Sequence, residues 1–167
     1  MTCYKEFPVS TVVYNGVTAG GVIALGMAVA AQFELALLIG YVLLVAVSLL
    51  GVLGTICARC ASYYGHRCGL GLGKVTPLFF KQGRTDLYFR TPMQFVYLIL
   101  FLAAMVWPII GGTILLAGGF SAWRLAQLVA TLVLLLALGV PHPKLVCSHC
   151  RQGECGACPV GRMLRKA

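Results

Sequence analysis

The chain has 167 residues, of which 60% are hydrophobic and only 10% are charged, and its mean hydropathy is +0.92. Soluble domains carry about 25% charged residues, so this composition excludes an ordinary soluble globular protein. The net charge of +9 does not indicate nucleic-acid binding, because the basic residues follow the ends of long apolar runs instead of forming one patch. We therefore expect membrane lipid, and no nucleic acid, among its partners.

Four apolar runs reach or nearly reach the about 20 residues that a helix needs to cross the hydrocarbon core of a bilayer. A short turn joins the first two runs and another joins the last two, and turns this short make neighbouring helices antiparallel. The sequence thus predicts an all-α integral membrane protein with four transmembrane helices in two hairpins. The runs cover residues 8–31, 35–57, 93–117 and 122–140. The segments are a first hairpin (1–57), a cysteine-containing loop (58–92), a second hairpin (93–140) and a cysteine-rich tail (141–167).

The basic residues predict the orientation of these helices. Of the 13 Lys and Arg residues, 12 precede the first run, lie in the middle loop or follow the fourth run. Only Arg124 lies near the other ends of the runs, at the start of the fourth run. The positive-inside rule then places both termini and the middle loop in the cytoplasm. Aromatic pairs such as Phe79-Phe80 alternate with cations in that loop, which is typical of a segment that lies on anionic headgroups.

The runs themselves carry two packing signals. Small residues at intervals of four in the first run predict close approach of another helix, either inside the bundle or in a homo-oligomer. They are Gly16, Gly20, Ala24 and Ala28. Pro108 lies in the middle of the third run and should kink it, with neighbouring helices satisfying the freed backbone group. No Asp, Glu, Lys or His lies in the middle of any run, which argues against a proton-coupled transporter.

Seven of the eight cysteines fall in two short segments, one after the second run and one after the fourth. Their spacings are C-x2-C-x7-C and C-x2-C-x4-C-x2-C, and paired thiols two residues apart can place two sulfurs on one metal ion. In the reducing cytoplasm such thiols bind metals rather than forming disulfides. The predicted ligands are Cys57, Cys60, Cys68, Cys147, Cys150, Cys155 and Cys158, with His66 and His149 as additional candidates. We expect the two segments to converge on one membrane face. Cys3 stands apart from both.

The tail also contains a local resemblance. Residues 150–158 read CRQGECGAC, which resembles the cluster-binding loop of plant-type 2Fe–2S ferredoxins. The resemblance covers nine residues and implies an iron–sulfur cluster on Cys150, Cys155 and Cys158, with Cys147 or a thiol of the middle loop as fourth ligand. The fold of that family is not implied, because its fourth cysteine lies in a β-rich domain that has no counterpart here.

Glycines follow Cys68 at positions 69, 71 and 73. They do not form a phosphate-binding loop, because the required G-x4-G-K-[ST] frame is missing. Instead we expect them to turn the chain tightly or to bring backbone N–H groups close to sulfur. The chain has only four acidic residues and no serine–histidine–aspartate set, so hydrolytic chemistry is not expected.

Three functional hypotheses follow from these observations. The first is a membrane metalloprotein with an iron–sulfur site that transfers electrons between a soluble partner and a quinone or a membrane partner subunit. The second is a non-catalytic scaffold, assembly factor or oligomeric pore in which Cys57, Cys60, Cys147 and Cys150 hold structural zinc. The third is a soft-metal or thiol relay, although Met27 and Met105 are the only thioethers deep in the runs.

Overall fold

The computed structural model describes residues 6–60, 64–146 and 149 of the chain. Four long helices, each long and apolar enough to cross a membrane, confirm the four predicted runs to within two residues. The described residues contain no strand. The helices are α1 (Val9–Ala30), α2 (Leu35–Thr55), α3 (Leu72–Phe79), α4 (Pro92–Gly118), α5 (Ala122–Gly139) and α6 (Pro141–Leu145), with short 3-10 turns at Cys57–Arg59 and Thr85–Leu87.

Helices α1 and α4 form the centre of the bundle, because each packs against all of the other long helices. Helices α2 and α5 flank this central pair, α2 mainly on α4 and α5 mainly on α1. At one end of the bundle, which we call the turn end, residues 31–34 connect α1 to α2 and residues 119–121 connect α4 to α5. The opposite end, which we call the loop end, holds residues 56–91 and α6.

The bundle buries polar groups and exposes apolar ones. Buried polar side chains include Asn15, Gln94 and Thr131, all fully inaccessible, whereas Leu35 and Leu136 are 72% and 64% exposed. A water-soluble protein does not present so many large apolar side chains on contiguous helix faces. This distribution favours a hydrocarbon environment around the four long helices, where interhelical polar contacts hold the bundle together.

Polar side chains close the helix ends at both ends of the bundle. Thr91 and Gln94 form a capping box at the start of α4, and the Gln94 amide also donates to the carbonyl oxygen of Thr55 at 2.7 Å. At the turn end, Arg124 donates to the carbonyl oxygens of Leu115 and Gly119 at 3.0 and 2.9 Å. A cation at a helix C-terminus satisfies carbonyls that lack intrahelical partners, which accounts for the one basic residue at the turn end.

A neighbouring helix supplies the partner expected for the backbone group that the proline of the third span leaves free, while the kink stays a prediction. Helix α4 continues through Pro108, which lacks the N–H that would bond the carbonyl oxygen of Ala104 four residues earlier. The Tyr41 hydroxyl donates to that oxygen at 3.2 Å from the neighbouring α2. Tyr41 reaches it because Gly26 of α1 leaves room, and a Cβ at that position would overlap with the tyrosine hydroxyl.

The small-residue stripe of α1 does not pack inside the bundle. Gly16, Gly20 and Ala24 are exposed and Ala28 is half-buried, and a Cβ at Gly16 or Gly20 would meet nothing within 4 Å. The buried face of α1 is a different one, made of Asn15, Thr18, Val22, Gly26, Val29 and Ala30. Packing inside the bundle was therefore the wrong alternative for this stripe. Its packing against a second copy of the chain stays a prediction.

Candidate functional site

The first cysteine pair lies on a tight turn directly after α2. The Cys60 N–H donates to the carbonyl oxygen of Cys57 at 3.1 Å, and the Gly83 N–H donates to that of Ala58 at 2.8 Å. The first bond closes the turn between the two cysteines, and the second attaches that turn to the middle loop. The C-x2-C spacing is thus built into a 3-10 turn at the loop end.

The glycine run after Cys68 also performs its predicted role. Gly71 has a φ of +76°, a conformation that glycine adopts without the steric cost of a Cβ, and its N–H donates to the carbonyl oxygen of Cys68 at 2.9 Å. The Gly73 N–H then donates to Cys68 Sγ at 3.2 Å. The run therefore turns the chain tightly and directs a backbone N–H group to a cysteine sulfur.

Helix α3 was not predicted from the sequence, and it connects the two cysteine turns. Pro77 frees the carbonyl oxygen of Gly73, which instead accepts the N–H of Gly65 at 2.7 Å. The buried Thr76 lies close to Cys57, and Cys57, Cys60 and Cys68 surround one cavity. The three described cysteines are therefore neighbours.

Cys57, Cys60 and Cys68 all line one cavity of about 320 Å³ at the loop end. Val146, the residue immediately before Cys147, lines the same cavity. Its side chain packs so closely on Gly69 that a Cβ there would overlap with it. The chain therefore enters the cysteine-rich tail from the wall of the cavity that holds the first cysteine segment.

A buried polar joint lies beside this cavity. The Asn15 amide donates to the carbonyl oxygen of Gly69 at 2.9 Å, and Asn15 Oδ1 lies 3.0 Å from His142 Nδ1. Because the amide oxygen only accepts, His142 Nδ1 carries the proton and Nε2 is the unprotonated nitrogen. Burial lowers the pKa of His142 below its usual 6.5, so the ring is neutral near pH 7. The joint links α1, the middle loop and α6.

His66, one of the two predicted additional ligands, has a different partner. Its Nδ1 lies 3.1 Å from Glu6 Oε1, and Arg67 donates to the other carboxylate oxygen at 2.9 Å. The hydrogen bonds from His66 and Arg67 lower the pKa of Glu6. The Phe7 N–H also donates to the carbonyl oxygen of Arg67 at 3.0 Å, so this cluster fastens the N-terminal segment to the middle loop.

The predicted metal site is only partly covered by the described residues. Within residues 6–60, 64–146 and 149, no three His, Cys, Asp or Glu side chains form a group that could hold a metal ion. For the other predicted histidine ligand, His149, the backbone N–H donates to Val146. The remaining predicted ligands lie outside the described residues, as does the isolated Cys3. They are Cys147, Cys150, Cys155 and Cys158. The metal site and the convergence of the two cysteine segments stay predictions.

Comparison with known proteins identifies no relative: no family model, curated protein or solved structure matches the chain significantly. Any functional conclusion must therefore come from the site itself.

Sequence reasoning missed three residues of this region. Asn15 is the only asparagine in the chain and lies within a predicted span, a position where a polar group is rare and finds a partner. That signal was present in the sequence. His142 and Thr76 gave no comparable signal, because they lie outside the predicted spans, where a polar residue is common.

Proposed function

We propose that this chain is an integral membrane protein, with both termini in the cytoplasm, that binds an iron–sulfur centre through its cysteines at the loop end. The centre would exchange electrons between a soluble partner and a membrane-phase partner. The observation that carries the proposal is the single cavity lined by Cys57, Cys60, Cys68 and Val146. It gathers the thiols of the first segment at the point where the second segment begins.

The local backbone directs an N–H group to one of the sulfurs. The Gly73 N–H donates to Cys68 Sγ at 3.2 Å. Backbone N–H groups around the sulfurs are also what the ferredoxin-like run implies for the tail. Iron–sulfur clusters are held by thiolates and transfer single electrons. The three described thiols do not form a metal-binding group by themselves, so the proposal requires ligands from the tail.

Structural zinc is the second candidate, and the polar joint at the loop end favours it. Asn15 and His142 already tie α1, the middle loop and α6 together, and a closed four-thiolate zinc site would strengthen that connection. Such a site contributes to folding free energy and does no redox chemistry.

The test is metal analysis and absorption spectroscopy of anaerobically purified protein, with one cysteine changed in each segment. If one shared centre exists, Cys68→Ser and Cys155→Ser should each remove nearly all of the same metal, because serine oxygen is a poor ligand for a soft site. Cys3→Ser, in the cysteine that belongs to neither segment, is the matched control and should retain the metal.

Brown protein with iron supports electron transfer, whereas colourless protein with zinc supports the structural role. Two sites, one in each segment, would leave part of the metal in each variant and contradict the shared centre. Wild-type protein that contains neither metal would refute both candidates.

A further inference from the structure

The thiol-lined cavity extends beyond the loop and into the bundle. Its walls include Leu49 and Val52 of α2 and Leu98 and Phe101 of α4. Leu49 lies six residues before the end of α2, so at 1.5 Å per residue the cavity reaches about 9 Å below the helix end. One end therefore lies among thiols and the other among apolar side chains at the level of the spans.

Aromatic rings line the cavity near the loop, and one of them is strained. Tyr88 and Phe89 both line it, and their rings meet edge to face at 4.8 Å. Phe89 has a φ of +52°, the only positive φ among the described non-glycine residues. Bulky residues rarely adopt this conformation, and such strain occurs where surrounding structure fixes a side chain for binding. The Phe89 ring also meets the ring of Phe95, with the two ring centroids 5.9 Å apart.

The charge of the walls restricts what the cavity can accept. None of its described lining residues is Lys or Arg. Against these described residues, a carboxylate or phosphate headgroup would be buried with no Lys or Arg beside it, which is unfavourable. A neutral ring with carbonyl oxygens carries no such cost, because it can stack on the aromatic walls and place an apolar tail between α2 and α4.

We propose that this cavity binds a substituted quinone with an apolar tail, its ring against Tyr88 and Phe89 and its tail between α2 and α4. The quinone would be the membrane-phase partner of the proposed function, and its redox role rests on that function. The cavity volume of about 320 Å³ falls within the roughly 300–1,000 Å³ of small-molecule sites. If the proposed centre is present, it would supply electrons one at a time from a reduced soluble protein, and two electrons with two protons from cytoplasmic water would reduce the quinone to hydroquinone. No bond to the protein forms or breaks.

The test is photoaffinity labelling of purified full-length protein in nanodiscs with an azido derivative of a fully substituted, decyl-tailed benzoquinone. Full ring substitution leaves no open ring carbon for thiol addition. Label should map to the peptides around Cys57 and Leu98, and an excess of the unlabelled quinone should displace it. Dodecanoate, an apolar chain with a carboxylate, should not.

Matched variants separate the cavity from the lipid-facing surface. Leu98→Trp in α4 and Val52→Phe in α2 should each fill the cavity. Each should weaken the affinity for the unlabelled quinone, measured by its displacement of the label, at least about tenfold, which corresponds to about 1.4 kcal/mol. Ile99→Trp and Leu50→Phe are the controls, because these neighbours are 63% and 48% exposed, and both should label like the wild type.

The outcomes for the quinone site and for the metal centre can be told apart in one preparation. Labelling that unlabelled quinone displaces and that both filling variants weaken supports the quinone site. If the same protein contains no metal, the proposed metal centre is refuted while the quinone site stands. Scattered labelling, displacement by dodecanoate, or equal labelling of filled and control variants would overturn the quinone site while leaving a measured metal centre intact.

Discussion

The hydrogen bond from Tyr41 to the carbonyl oxygen of Ala104 makes a testable link between two helices. Tyr41→Phe removes the hydroxyl and keeps the ring, so the loss is confined to one bond of 3.2 Å. Because Pro108 supplies no N–H, the Ala104 oxygen is then left buried without a partner. Unsatisfied buried acceptors cost about 1–3 kcal/mol, and polar contacts between membrane helices average about 0.6 kcal/mol. We therefore expect a loss of about 1 kcal/mol in unfolding free energy.

A double-mutant cycle isolates the cause of this loss. In Pro108→Ala the new N–H can donate to the Ala104 oxygen, so adding Tyr41→Phe should cost clearly less than in the wild type. A coupling of about 0.5–1 kcal/mol is expected for residues that share one partner. Tyr97→Phe is the matched control, because its hydroxyl bonds none of the described residues.

The assay is reversible unfolding by dodecyl sulfate in mixed micelles, followed by circular dichroism for the wild type and each variant. Equal costs of Tyr41→Phe in the wild-type and Pro108→Ala backgrounds would refute the reasoning. So would a Tyr97→Phe variant that loses as much free energy as Tyr41→Phe.

Two further predictions concern α1 and the polar joint. Gly26→Ala should lower the free energy of unfolding by about 1–3 kcal/mol in the same assay, because its methyl group would displace the Tyr41 hydroxyl. Gly20→Ala is the control and should be neutral, because a Cβ at Gly20 would meet nothing within 4 Å. Equal losses in the two variants would contradict the packing of α1 on α2. The folded-state pKa of His142 lies below its usual 6.5, so stability should be full above that pH and should decrease as the pH falls below it, since only the unfolded chain then gains a proton. The measurement is the melting temperature as a function of pH, and in His142→Gln this decrease should disappear. The Glu6 carboxylate, whose pKa is lowered, should change stability only below about pH 4.5. An unchanged pH profile in His142→Gln would show that another group titrates.

The long helices could be predicted from the sequence because their signal is local. Each run of apolar residues specifies a span by its own length and hydropathy, and the structure places the ends within two residues. The tight turn after Cys68 could be predicted for the same reason, since Gly71 supplies the positive φ within four residues of the cysteine.

Other features depend on contacts between distant parts of the chain. The Asn15 bonds to Gly69 and His142 join residues 54 and 127 positions apart, and no local pattern specifies such partners. Helix α3 contains Pro77 and is only eight residues long, too short to be stable alone. Phe80 packs against Gly54 of α2, so tertiary contacts support this segment. The small-residue stripe failed as an internal packing signal because α1 has small residues on several faces: Gly21 and Gly26 meet Leu134 and Tyr41, whereas Gly16 and Gly20 meet nothing within 4 Å.

The loop end differs from the turn end in what connects the two hairpins. At the turn end, direct side-chain bonds such as Gln32 to Gln127 at 2.8 Å cross between them. At the loop end, the N-terminal segment, the middle loop and α6 all converge on one region, through Phe7 bonding Arg67 and Asn15 bonding both Gly69 and His142. A ligand bound in the cavity there contacts residues of both hairpins and of the middle loop. Binding at this end should therefore stabilise the whole bundle in proportion to its affinity, since any ligand specific for the folded state shifts the unfolding equilibrium.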